Sequence, residues 1–201
     1  MALKKIAVFI SGGGSNLQVL IDEIHQKYGE IVLVLSSNSN AHGLMRGKNN
    51  EIKSIVFDSK ESDFDEKVIA ILEENHVDFI VLAGYLKIIS SKLVNKYPGK
   101  IINIHPSLIP SFCGANHYGL KVHEKAIEYG VKISGATVHF VDEGADTGPI
   151  IMQKTVSVDY EDTAETLQKK VLDIEHYILC VSVKKMCEDK LILKGRKVKV
   201  L

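Results

Sequence analysis

The residues that most constrain this chain are Ser11-Gly12-Gly13-Gly14-Ser15-Asn16. They follow a strand-like run, Lys5–Ile10, whose apolar residues are uninterrupted, as expected for a strand covered on both faces. Leu17, Leu20, Ile21, Ile24 and Tyr28 then recur at helical spacing, with Gly29 as the expected helix stop. A buried strand, a glycine turn and an amphipathic helix form the opening unit of an open α/β sheet. Glycines at that turn let backbone N–H groups approach an anion at a helix N-terminus.

The same alternation continues along the chain. Ile31–Leu35 and Ser54–Phe57 read as strands, and residues 41–50 as a short helix. Asp63 with Glu66 resembles a capping box, and Phe64, Val68, Ile71 and Leu72 supply the apolar face behind it. Phe79–Ala83 and Lys100–Ile104 are further strands. The rhythm breaks at residues 106–119, a stretch with two prolines and two glycines that reads as a long, functional loop. Val122–Tyr129 is a short helix, and Ile133–Val141 and Pro149–Val158 an antiparallel pair. Asp162 with Glu165 opens a long helix, and Leu191–Leu193 with Val198–Val200 forms a closing hairpin around Gly195. The expected fold is α/β. A Rossmann-like, mostly parallel central sheet is flanked by helices and carries a C-terminal antiparallel extension. A single domain is expected over residues 1–201, with a nucleotide- and phosphate-binding half (1–100) and a catalytic half (101–201).

Composition narrows the function classes. Lys+Arg and Asp+Glu are 25 each, so no bulk positive charge draws the chain to nucleic acid. No stretch approaches the ~18 apolar residues of a membrane span. Cys180 and Cys187 lie about two helical turns or ~10 Å apart, too far for a disulfide. With Cys113 they fit a reduced, cytoplasmic setting.

Three features carry chemistry. The glycine turn suits either a dinucleotide pyrophosphate or a phosphate monoester. The third glycine of G-x-G-x-x-G is Leu17, and Ser36-Ser37-Asn38 replaces the acidic residue expected after the second strand. A monophosphate held by Gly13, Gly14, Ser15 and Asn16 therefore fits better, beside the plainer reading of a tight turn with an N-cap serine. Asn103 and His105 alternate to one face of a strand end, where an amide donor and an imidazole suit acyl transfer. A structural His-Pro cap fits the same residues. Asp146, between Gly144 and Gly148, is either a turn residue or the carboxylate that such a site needs. No nucleophile motif supports covalent catalysis, and the histidine spacings match no common metal site.

Taken in order, Gly12-Gly13-Gly14-Ser15-Asn16, Leu82-Ala83-Gly84-Tyr85, Asn103-Ile104-His105-Pro106-Ser107-Leu108-Ile109-Pro110, Val138-His139-Phe140-Val141 and Asp146-Thr147-Gly148-Pro149 resemble the glycinamide ribonucleotide formyltransferases over nearly the whole chain. The resemblance implies formyl transfer from 10-formyltetrahydrofolate, as cosubstrate, to the amine of glycinamide ribonucleotide in purine synthesis. It implies no metal, and small-molecule partners only, with a monomer or homodimer. Asn103, His105 and Asp146 match the catalytic trio, and Asn103 also the folate site. Gly14, Ser15 and Asn16 match the phosphate site, Glu175 the ribose contact, and Tyr85, Leu86, Lys87, Ile88 and Ile89 the pterin pocket. In the implied mechanism Asn103 and a protonated His105 stabilise the tetrahedral oxyanion, while Asp146 holds His105 and helps carry the proton. Lys87 departs from the expected Arg, and Asn116-His117 departs from the family's loop. Formyl transfer to another amine, such as a sugar nucleotide, and a non-catalytic nucleotide-binding regulator are the alternatives.

Overall fold

The computed structural model describes residues 2–57 and 63–201. Strands β1 (Lys4–Ile10), β2 (Gly29–Ser36), β3 (Lys53–Val56), β4 (Phe79–Leu82), β5 (Ile101–His105), β6 (Ile133–Phe140) and β7 (Ile150–Ser157) form one sheet, in the order β3-β2-β1-β4-β5-β6-β7. The strands from β3 to β5 run parallel, and β6 and β7 continue the sheet antiparallel. A separate hairpin, β8 (Leu191–Lys194) with β9 (Lys197–Val200), closes the chain.

Alternation along β1 divides the core. Ile6, Val8 and Ile10 face the layer holding α1 (Ser15–Glu23), α5 (Leu120–Tyr129) and α6 (Ala164–Cys187). Ala7 and Phe9 face the layer of α3 (Phe64–Glu74) and α4 (Ser91–Lys96). Period-two geometry makes one unbroken apolar run serve both faces. No helix among the described residues is long and apolar enough to cross a membrane.

Several local expectations change. Helix α1 ends at Glu23, and Gly29 opens β2 instead of closing the helix. Packing accounts for the glycine: a Cβ there would lie 2.8 Å from both Cys187 Sγ and Ile6 Cδ1. The Asp63 capping box does not form; Asp63 pairs with Lys67 at 3.2 Å. A capping box does open α6, built by Thr163 and Thr166, while Asp162 binds Lys170 at 2.6 Å. Helix α4, capped by Ser90, has no counterpart in the pattern reading. It supplies the crossover that two neighbouring parallel strands require. The three cysteines are free, and burial pushes the Cys180 thiol up to about 12.

Strand order reverses between β1 and β4, so the chain leaves their carboxyl ends in opposite directions. Ligands bind open α/β sheets at such a crevice. Ser11 N–H donates to Gly84 O at 3.1 Å across it, joining the glycine turn to the segment after β4.

Candidate active site

The glycine turn opens on a cavity of about 250 Å³ lined by Gly12, Gly13, Gly14, Ser15, Asn16, Arg46, Ala83 and Gly84. Gly14 has φ 72°, and a Cβ on it would lie 2.7 Å from Gly43 Cα in α2 (Gly43–Asn49). A side chain there is excluded both by conformation and by close packing. Gly12 and Gly13, by contrast, face open space, with nothing within 4 Å of a built Cβ. The first-turn N–H groups of α1 have no intrahelical partners, and the helix dipole gives that end partial positive charge. Asn38, at the end of β2, donates its side-chain amide to Ser11 O at 3.1 Å and so ties the turn to the neighbouring strand. The Asn16 side chain is committed elsewhere: it is buried and donates to Glu175 Oε2 at 3.0 Å. Burial pushes the Glu175 carboxyl up to about 7, against the Asn16 hydrogen bond that favours its charged form.

The expected trio converges beyond β5. Asp146 Oδ2 lies 3.5 Å from His105 Nδ1, and Asp146 Oδ1 accepts from Asn103 Nδ2 at 3.4 Å. Asp146 has φ 58°, a left-handed conformation that Asp tolerates. The loop after β5 closes over it. Gly114 N–H donates to Asp146 Oδ2 at 2.8 Å, and the Phe112 carbonyl accepts from His105 Nε2 at 2.9 Å. Phe112 itself has φ 49°, a strained value for a bulky residue that aims its carbonyl at the imidazole.

Electrostatics separates the members of this cluster. Burial opposes ionisation of Asp146, but His139, His105 and the Gly114 N–H outweigh it and hold the carboxyl at about 2. Burial holds the His105 imidazole below its ordinary value, against the pull of Asp146. Burial and the Asp146 carboxylate thus act on the His105 charge in opposite senses. Desolvation disfavours a charge that the nearby carboxylate only partly compensates.

The segment after β4 sits beside both features, because Leu82 pairs with Asn103 across the β4–β5 ladder. Leu86 N–H donates to Ser11 Oγ at 2.9 Å. Leu86 and Ile88 are exposed apolar side chains, Lys87 is exposed, and Tyr85 packs edge-on against Phe9. Ile89 is buried in the core with Leu93.

The formyl transferase family model matches residues 4–183. The chain belongs to the formyl transferase family. A phosphoribosylglycinamide formyltransferase of Haemophilus influenzae is 40% identical over 198 residues, covering 96% of this chain and 91% of that protein. The chloroplastic phosphoribosylglycinamide formyltransferase of Vigna unguiculata is 40% identical over 94% of this chain, which spans 62% of its length. The phosphoribosylglycinamide formyltransferase structure from Anaplasma phagocytophilum superposes with a TM-score of 0.90 at 40% identity, covering 98% of this chain and 94% of that one. A formyltetrahydrofolate deformylase from Pseudomonas syringae has a TM-score of 0.88 at 27% identity, with 99% of this chain covered and 66% of the other.

This formyl transferase also places residues near the site that pattern reading did not assign to it. His139 is buried on β6 opposite Asn103, with Nε2 3.1 Å from Asn103 Nδ2 and 3.6 Å from Asp146 Oδ1. Its place within Val138-His139-Phe140-Val141 was the available signal. His123, on α5, is buried, and burial lowers its pKa to about 4 with His105 nearby. Arg46 stands at the glycine-lined cavity, inside the stretch 41–50 that pattern reading gave only as a short helix.

Proposed function

We propose that this chain transfers the formyl group of 10-formyltetrahydrofolate to the amine of glycinamide ribonucleotide. The observation that carries the reading is the meeting of Asn103, His105 and Asp146 beyond the same sheet that presents the glycine-lined cavity. The cavity takes the substrate phosphate on Gly13, Gly14, Ser15 and the N–H of Asn16. Glu175 accepts from the ribose hydroxyls. The exposed apolar side chains of Leu86 and Ile88 lie along the folate pocket, with Tyr85, Lys87 and the backbone of Ile89 completing that segment. The phosphate thus belongs to residues 1–100 and formyl chemistry to 101–201, with Glu175 reaching across to Asn16.

The uncharged amine attacks the formyl carbon, forming the C–N bond of a tetrahedral intermediate. Asn103 donates to the developing oxyanion. His105 releases Phe112 O and donates a hydrogen bond from Nε2 to the same oxyanion, while the Asp146 carboxylate facing Nδ1 orients the ring. The amine proton passes to folate N10 by way of Asp146 and water. The C–N10 bond then breaks, leaving formylglycinamide ribonucleotide and tetrahydrofolate.

A turnover assay with both substrates tests this reading. Formylated ribonucleotide should appear in equal amount with tetrahydrofolate. Release of formate without formylated amine would favour a deformylase. Turnover only with an amino-sugar nucleotide would move the reading to another amine.

A further inference from the structure

Arg46 is the cationic side chain on the wall of the glycine-lined cavity. Its guanidinium is fixed from behind. Nε donates to Gly13 O at 2.9 Å and Nη1 to Gln18 Oε1 at 3.0 Å. Gln18 is held in turn by donating Nε2 to Asp22 Oδ1 at 2.9 Å. The helix that carries Arg46 is docked onto the same turn, since Gly43 N–H donates to Gly12 O at 3.0 Å. A guanidinium has five N–H donors; two are used, and three remain for a ligand. Arg46 has no carboxylate partner among the described residues. A half-buried cation, aimed by neutral acceptors and left without a counter-charge beside a cradle of backbone N–H groups, matches a phosphate ester.

We propose that Arg46 supplies the charge that selects a phosphate monoester at this cavity, so that it distinguishes the ribonucleotide from the corresponding nucleoside, with Gln18 as its positioning residue. The helix N-terminus alone offers about half a unit of positive charge, while a phosphate monoester carries nearly two negative charges near pH 7. The proposal rests on the function proposed above for its substrate, though not for its anion chemistry.

Two measurements test it on the full chain. The first compares kcat/KM for glycinamide ribonucleotide with that for the dephosphorylated nucleoside in wild type, Arg46→Gln, Arg46→Lys and Gln18→Ala. Arg46→Gln should lower kcat/KM ~10–100-fold more for the ribonucleotide than for the nucleoside, as expected for loss of charge-assisted hydrogen bonds. Arg46→Lys should recover part of the preference, and Gln18→Ala should lose a smaller part. The second measures binding of inorganic phosphate to the unliganded protein by calorimetry, which needs no turnover; Arg46→Gln should weaken it by a similar factor. Equal losses on nucleotide and nucleoside would make Arg46 merely structural and overturn the proposal. So would an Arg46→Gln protein that binds phosphate like wild type. If wild type turns over neither substrate while Arg46→Gln still loses phosphate binding, the formyl-transfer reading falls and the role of Arg46 stands.

Discussion

The cavity after β1 and the cluster after β5 share one sheet edge but are built from different materials. The first is made largely of backbone, in five consecutive residues braced by α2. The second is made of side chains from β5, β6 and the loop before β7, with two backbone groups of residues 112 and 114 added. Backbone donors carry no ionisable proton, so the cavity can hold an anion over a wide pH range. The side-chain cluster works through ionisation states, and those depend on how much water the fold removes. The contrast teaches where each site is fragile: the cavity to any atom added at its floor, the cluster to the loss of one charge.

The most severe break of this contrast is Asp146→Asn. The change is nearly isosteric but removes the carboxylate that offsets the burial of His105. We expect kcat to fall on the order of 10²–10⁴-fold, with modest changes in KM. The His105 pKa, already lowered by burial, should fall further, because Asp146 is the main influence raising it. NMR titration of the imidazole checks the second effect. A dead variant with an unmoved His105 would give Asp146 a separate role, such as holding Gly114.

Gly13→Val probes the other region. Its side chain enters open cavity rather than protein, so the fold should survive. We expect KM for the ribonucleotide to rise at least ~10-fold, the loss of roughly one good hydrogen bond to a charged group, with KM for folate nearly constant. Gly14→Val is a poorer probe, because its Cβ would strike the backbone of Gly43 at 2.7 Å. Equal effects of Gly13→Val on both substrates would place the phosphate elsewhere.

The smallest effect sharpens the comparison at Glu175, a titrating group that meets the glycine-turn helix. Burial raises the folded-state pKa of Glu175 to about 7, above an unfolded value of ~4.3. For a raised carboxyl, stability is fully present below the unfolded pKa and is lost as pH climbs towards the folded one. Glu175→Gln should therefore raise Tm by roughly 2–6 °C at pH 8 and by little at pH 4, while weakening ribonucleotide binding. An equal gain at both pH values, measured by thermal melts, would show that burial of charge is not the cause.

Much of this was legible in the residues. The strand–glycine–helix opening, the alternation that puts Asn103 and His105 on one side of β5, and the long loop after it follow from local spacing and steric rules. Helix α4 was missed because six residues leave too little periodicity to read. The glycine at position 29 was misplaced because its need comes from Cys187, 158 positions away. By itself the sequence determined the order of the elements and the character of each turn, since those depend on neighbours along the chain. Tertiary structure alone decided that Asp146 reaches His105, that burial lowers the His105 pKa, that Asn16 turns to Glu175, and that Arg46 stands over the glycine cavity. Each of these depends on desolvation and on contacts between distant segments, and both fall off with distance in space rather than along the chain.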